Sequence, residues 1–205
     1  RKKQEYDGYF GYSSGSYFYG EGVSRFSWFG KKYAGVDPET GLASFYKNTY
    51  VVDENGTQVL GEDGYPIVNG TETTTNFNDA SDYIIGDVLP DVYGGFGTSV
   101  SWKGFDFSAD FTYQIGGKVY DGTYAGLMSL DKGYGIHEDM LNAWSPENTG
   151  SDIPRMVYND SYMASSSDRF LTDASYLSLQ NVTLGYTLPK SITMKFGVDK
   201  LRLYV

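Results

Sequence analysis

Residues Tyr93–Ile115 read YGGFGTSVSWKGFDFSADFTYQI, and pairing them outward from a two-residue turn at Lys103-Gly104 gives a hairpin with two unlike faces. One face pairs Trp102 with Phe105, Val100 with Phe107, Thr98 with Ala109, Phe96 with Phe111 and Gly94 with Tyr113. The other pairs Ser101 with Asp106, Ser99 with Ser108, Gly97 with Asp110 and Gly95 with Thr112. Side chains alternate across a strand, so the first face is apolar and aromatic and the second small and polar. Each arm runs for about nine residues, close to the ~9–11 that a tilted strand needs to cross a bilayer. Globular strands more often stop at about 5–6. The pattern predicts a membrane-spanning β-hairpin.

Composition permits this. The 205 residues are 40% hydrophobic with a mean hydropathy of −0.41, values that suit a soluble protein but equally a barrel whose strands turn only alternate residues to lipid. No run of 18 or more apolar residues exists, so a transmembrane helix is excluded. The 20 Tyr, 12 Phe, 3 Trp and 26 Gly suit aromatic-girdled β-structure with tight turns. Cysteine is absent, which removes disulfides and thiolate metal sites. Of the net charge of −10, most lies between Asp37 and Pro90, where ten acids face Lys47 alone and sum to −9. Such a segment repels phosphate backbones, so nucleic acid is not an expected partner.

Along the chain, residues 5–36 are rich in Tyr and Gly and read as one or two strands, and Leu42–Val52 as another. DENG (Asp53–Gly56), GEDG (Gly61–Gly64) and Asn69-Gly70 are turn signals that make 53–82 a decorated loop hairpin, and Gly86–Asp91 leads into the long hairpin. A second excursion runs over 118–170. Its centre, HEDMLNAW (His137–Trp144), spaces Met140, Leu141 and Trp144 as a short helix stopped by Pro146. In YLSLQNVTLGYTL (Tyr176–Leu188) the apolar parity shifts from Leu177/Leu179 to Val182/Leu184/Tyr186, which predicts a bulge near Gln180-Asn181. Pro189–Gly197 is a short link before KLRLYV (Lys200–Val205), which alternates like a strand. Short links thus alternate with long ones at about 53–92 and 116–174, the asymmetry of periplasmic turns and extracellular loops.

Specific phrases then resemble one family. YAGVDPETG (Tyr33–Gly41), LPDVYGGFGTSVSWKGFDFS (Leu89–Ser108), YQIGGKVYDGTYAGLM (Tyr113–Met128), LNAWSPENTGSDIPR (Leu141–Arg155) and SDRFLTDASYLSLQNVTLGYTLPK (Ser167–Lys190) are similar to the SusC/RagA family of TonB-dependent outer-membrane receptors. The resemblance implies an all-β fold: an antiparallel transmembrane β-barrel segment, part of a large plugged barrel of the ~22-strand class, with long extracellular loops and one short loop helix. It implies that residues 1–205 are a partial barrel domain, with plug, TonB box and terminal strands absent. The implied function is TonB-dependent import of oligosaccharides or peptides across the outer membrane of a Gram-negative bacterium. The implied partners are a SusD-like surface lipoprotein, TonB through the missing N-terminal region, and outer-membrane lipid.

Candidate residues follow from position. Phe96, Val100, Trp102, Phe105, Phe107, Phe111 and Tyr113 would face lipid, with Trp102, Phe105, Tyr93 and Tyr113 near its two interfaces. Ser99, Asp106, Ser108, Asp110 and Thr112 would face the lumen, where the two acids could meet a polar substrate or a basic plug. Among the loop aromatics Tyr120, Tyr124, Tyr134, Trp144, Tyr158 and Tyr162, the strongest candidates for stacking on substrate are Tyr124, Trp144 and Tyr158, against the plainer alternative of loop packing. DENG offers oxygen ligands that could hold calcium in an extracellular loop, but lacks EF-hand spacing. His137 has no second His for zinc and reads as a solvated residue. No nucleophile elbow, Cys nucleophile or phosphate loop is present, and acids such as Asp131 and Asp139 form no recognisable pair, so no enzyme is expected. The alternative from another class is a secreted or surface β-sandwich that binds carbohydrate through loop aromatics, with the apolar face of Tyr93–Ile115 packed inside.

Overall fold

The computed structural model describes residues 4–6, 9–62, 64–130, 135–158 and 165–205. Tyr134, Tyr162 and Asp131 lie outside the described residues. In chain order the strands are β1 (Gln4–Tyr6), β2 (Tyr9–Ser14), β3 (Tyr17–Gly20), β4 (Ser27–Lys31), β5 (Tyr33–Val36), β6 (Ala43–Tyr50), β7 (Val68–Thr74) and β8 (Asp82–Asp87). Then come β9 (Val92–Trp102), β10 (Phe105–Ile115), β11 (Lys118–Tyr120), helix α1 (Gly122–Leu127), β12 (Leu171–Asp173), β13 (Tyr176–Thr187), helix α2 (Lys190–Thr193) and β14 (Arg202–Tyr204). The contacts divide the chain into two compact units. One joins the residues up to Val88 with Lys118–Thr172; the other joins Leu89–Gly117 with Asp173–Val205.

The second unit is a four-stranded antiparallel sheet in the order β14-β13-β10-β9. The hairpin has the register expected from its pattern, from Trp102 opposite Phe105 to Val92 opposite Ile115. Lys103 and Gly104 both take positive φ, 48° and 90°, the turn whose twist matches two right-twisted strands. Gly104 is also needed for space, since a Cβ there would sit 2.8 Å from the Thr187 carbonyl oxygen. On β13 the register slips once: Asp110 faces Asn181 and Phe111 faces Leu179, leaving Gln180 as the extra residue. A one-residue slip would turn half the strand's apolar side chains to the wrong face. The bulge absorbs it, so Leu177, Leu179, Val182, Leu184 and Tyr186 continue the apolar face of the hairpin. β14 extends that face, with Leu203 opposite Tyr186. This face is open: Trp102 and Leu177 are each 66% exposed.

The first unit carries a five-stranded sheet, β1-β2-β3-β4-β8, and a three-stranded one, β5-β6-β7. Phe18 and Phe29 are buried, their rings 5.5 Å apart. Beyond β6 the chain folds into a small ladder in which Val59 N–H donates to Val51 and Ile67 N–H to Val59, with the DENG and GEDG turns at its ends. The 118–172 stretch has its own core of Ala125, Met128, Met140, Ala143 and Phe170, with Tyr120, Tyr124, Leu130 and Ile153 packed around it.

Three readings of the sequence are corrected here. The loop read as ending at Asp82 and the lead-in read from Gly86 both give way to strand β8, Asp82–Asp87, paired along β4 with a bulge after Trp28. HEDMLNAW holds only a tight 3-10 helix, Glu138–Asn142. It stops before Trp144 because Ala143 is extended (ψ 153°) and the Trp144 N–H donates to the Ile153 carbonyl, turning the chain back. The excursion also contains a helix that was not expected: α1 starts where the Asp121 side chain accepts the Tyr124 N–H and caps the first turn. The short link Pro189–Gly197 forms a helical turn, closed by Gly197 at φ 70°.

Candidate functional site

The sheet's second face is small and polar, and its side chains are wired to one another across strands. Gln180, displaced by the bulge, donates its amide to Thr112 Oγ1 at 2.8 Å and to Ser178 Oγ at 3.1 Å. One row along, Asn181 donates to Asp110 at 3.4 Å, a weak contact. Nearer the Lys103-Gly104 turn, Arg202 on β14 grips both carboxylate oxygens of Asp106 on β10, with Nε at 3.1 Å from Oδ1 and Nη2 on Oδ2. The pair reaches over β13, and Gly185 makes this passage possible, since a Cβ there would lie 2.5 Å from Asp106 Oδ2. Gly97 likewise clears the space that the Asp110 carboxylate fills.

Of the two acids singled out from sequence, Asp106 is therefore already matched by Arg202, while Asp110 is exposed, with its weak amide contact to Asn181 among the described residues. Ser99 is exposed, and Ser108 and Thr112 are half-buried along the same face. On the opposite face Phe96, Val100, Trp102, Phe105 and Phe107 are exposed, and Phe111 and Tyr113 half-buried. Phe96 stacks on Phe111 with centroids 4.9 Å apart. Sequence reasoning missed Arg202, Gln180 and Gly185 as members of the polar face. The signal was present: a glycine inside a strand marks a close approach, and Arg202 shares a face with Asp106 once the bulge is counted.

The loop aromatics are spent differently. Tyr124 donates its hydroxyl to Asp139 Oδ2 at 2.8 Å and sets its ring edge-on to His137, 4.8 Å between centroids. Burial, then the hydrogen bond to Asp139, holds its phenol above the usual range. His137 is half-buried and not solvated as expected; its Nδ1 accepts the Asp139 N–H and caps the 3-10 helix. Trp144 lies on Gly41, and Tyr158 is 73% exposed. Tyr124 thus packs against the 118–172 core and Trp144 onto the Gly41 turn, whereas Tyr158 projects outward.

Behind them sits a charged cluster. Tyr33 N–H donates to Asp168 Oδ1 at 2.7 Å, and the Arg169 guanidinium lies 5.3 Å from the Tyr33 ring centroid and 5.2 Å from that of Phe170. Burial pushes the Tyr33 phenol up to about 12. It also raises the Asp168 carboxyl and lowers the Arg169 guanidinium. Among the described residues no three carboxylates or histidines converge on a point that could hold a metal. Asp53 of DENG turns its Oδ1 to the N–H groups of Asn55 and Thr57, ordering its own turn. A shallow groove of about 450 Å³ crosses the three-stranded sheet, lined by Val36, Asp37, Ser44 and Thr73–Thr75 among others.

No family model matches the chain. Among curated proteins it is similar to TonB-dependent receptor P3 of Formosa agariphila, 39% identical over 123 residues that make up 60% of this chain and 12% of that protein. TonB-dependent receptor P26 of the same organism is 28% identical over 160 residues, 77% of this chain and 16% of the relative. Among solved structures it resembles the RagAB peptide transporter, with a TM-score of 0.65 and 26% identity over 87% of this chain and 18% of that one. The RagAB peptide importer in its closed-closed state gives a TM-score of 0.68 at 26% identity, over 92% of this chain and 19% of that one.

The chain resembles TonB-dependent receptors of the SusC/RagA type.

The chain spans between 12 and 16% of the length of these two curated relatives. Its predominantly β fold matches that of the solved neighbours. The relatives named above are receptors and transporters, not enzymes.

Proposed function

We propose that this segment forms part of the wall of a closed transmembrane β-barrel, in the outer membrane of a Gram-negative bacterium, that imports oligosaccharides or peptides in a TonB-dependent manner. The observation that carries the reading is the sheet β14-β13-β10-β9. Three of its strands run 11 or 12 residues, with one continuous open apolar face and one small, hydrogen-bonded polar face. Strands of that length with dyad alternation suit a bilayer about 30 Å thick. In this reading Phe96, Val100, Phe107 and Phe111 meet lipid, Trp102, Phe105 and Tyr113 sit toward the interfaces, and Ser99, Ser108, Asp110 and Thr112 line the lumen. A basic plug would find Asp110 rather than the neutralised Asp106. The alternative of a water-soluble carbohydrate-binding sandwich requires a second sheet over the apolar face, which these exposed residues lack within their own unit.

By resemblance to its family the receptor works with a SusD-like surface lipoprotein and with TonB, and Tyr158 is the loop aromatic best presented to substrate or lipoprotein. The test is uptake of labelled oligosaccharide and of labelled peptide by cells with and without the receptor gene, before and after collapse of the proton gradient. Uptake of one of them that needs both gene and gradient supports the reading and names the substrate class. A water-soluble protein whose loss leaves both uptakes unchanged would return the sandwich to first place.

A further inference from the structure

The register of the sheet β14-β13-β10-β9 puts two tyrosines where the hairpin pattern alone does not announce them. Tyr93 on β9 and Tyr176 on β13 both lie opposite Gln114 on β10, one from each side. Residues directly opposite in an antiparallel pair share a face, and Gln114 shares its own with Thr112 and Asp110. Both tyrosines therefore belong to the polar face. Tyr93, read from its strand-end position as an interface residue with Tyr113, stands on the other side of the sheet from Tyr113. Tyr93 is 78% exposed and Tyr176 51%. Tyr204, at the turn end of the same face, is engaged differently, with the Arg202 guanidinium 5.4 Å from its ring centroid.

Two strand spacings, about 9–10 Å, separate the stems of Tyr93 and Tyr176. A flat ring stacked on both needs two van der Waals separations of about 3.5–4.0 Å each, so one ring fits between them and a second does not. Gln114 forms the floor. Its amide donates to the Ala174 carbonyl at 3.2 Å, which leaves its amide oxygen to accept. The adjoining row is Gly95, Thr112 and Ser178, and both hydroxyls accept from the Gln180 amide. A hydroxyl that accepts keeps its own hydrogen to donate. Neither row carries a charged side chain; the first acid beyond them is Asp110, in the row after. Charge complementarity thus selects an uncharged ligand. A sugar ring fits on both counts: its C–H faces meet the negative face of an aromatic ring, and each of its hydroxyls both donates and accepts. A peptide residue offers the stacking only when it is aromatic, and its backbone brings no neighbouring hydroxyls.

We propose that Tyr93, Gln114 and Tyr176 form a subsite, at the end of the polar face away from Lys103-Gly104, that seats one ring of an uncharged oligosaccharide between the two tyrosines. The subsite rests on the barrel reading, which makes this face the lumen wall. The test uses the full-length receptor. Immobilised in detergent, it is offered a mixture of labelled uncharged oligosaccharides from plant, algal and microbial glycans, and separately a mixture of uncharged heptapeptides. Oligosaccharide should be retained. Tyr93→Ala and Tyr176→Ala should each weaken retention by up to about tenfold, Tyr93→Phe should keep most of it, and Tyr113→Ala, on the opposite face, should change it little. In cells, a membrane-impermeant maleimide should label Tyr93→Cys and Tyr176→Cys but not Val100→Cys, against a segment that brings no cysteine of its own. The retained oligosaccharide should slow labelling at the first two. Equal labelling of all three would sink the barrel reading and the subsite with it. With Val100→Cys silent, four results would overturn the subsite alone: Tyr93→Cys and Tyr176→Cys silent too, peptide or nothing retained, retention indifferent to both tyrosines, or labelling that the sugar does not slow. The labelling needs no alanine variant, so a variant that fails to assemble still leaves the idea open to refutation.

Discussion

The sheet β14-β13-β10-β9 and the loop body around Phe170 are both rich in large apolar side chains, and they use them in opposite ways. In the loop body the side chains follow no simple period and end up inside: Phe170, Met128 and Met140 are at most 1% exposed. In the sheet they recur at every second position and stay outside, from Leu177 and Leu179 across to Phe96 and Val100. The loop body carries its own solvent-excluding core. The sheet has none, and a contiguous apolar face of this extent needs something else to cover it. A period of two joined to exposure of most of its large apolar side chains is what the proposed barrel wall requires of its outer face.

That contrast can be broken at several points. Phe170→Ala should destabilise the loop body by about 3–5 kcal/mol, read as loss of hydrogen-exchange protection at Ala125 and Met128 while β9, β10 and β13 keep theirs. If the sheet loses protection equally, the loop body has no independent core. Phe107→Arg and Phe111→Arg in the intact receptor should each oppose membrane assembly by ~2–4 kcal/mol near the bilayer midplane. Ser99→Arg and Ser108→Arg should assemble, and a heat-modifiability gel separates the two pairs. Equal tolerance on the two faces would end the barrel reading. Gly185→Ala should drive Asp106 off Arg202 at a cost of about 1–3 kcal/mol, seen first as faster exchange at Leu203 and Tyr204. Asp121→Ala should loosen the start of α1 by about 1 kcal/mol through loss of its cap, with the Tyr124 amide as reporter. Smallest is a titration. The Tyr33 phenol is raised from 10.0 to about 12, so its contribution to stability is complete below the ordinary phenol pKa and lost as pH rises through the folded value. The difference in phenolate absorbance between the unaltered protein and Tyr33→Phe isolates this group among the 20 tyrosines, and a difference that appears near the ordinary value would show that Tyr33 is not buried as described.

The sheet was readable from sequence because its information is local. Alternation fixes the faces, Lys103-Gly104 fixes the turn, and the parity break at Gln180 announces the bulge before any partner strand is known. The loop body was not, because its determinants meet only in space. Nothing beside Gly41 says that Trp144 will lie on it, and nothing beside Asp82–Asp87 says that β4 will receive it. Helix α1 was legible in principle from the Asp121 cap, but the glycines at 122 and 126 hid it. The same division runs through the candidate residues. Positions on the hairpin were placed by parity alone, whereas Tyr124, Trp144 and Tyr158 looked equivalent in sequence and differ only by what packs against each.

β9 contributes Gly95, Gly97, Ser99 and Ser101 to the polar face and no longer side chain between them. Between Gly95 and Ser101 the wall rises no higher than a hydroxymethyl group, and Tyr93 stands at its one end. Something chain-like lying against it could shift by several residues without dislodging a side chain, because none stands in its path. In the vocabulary of friction, this stretch is a track of low corrugation.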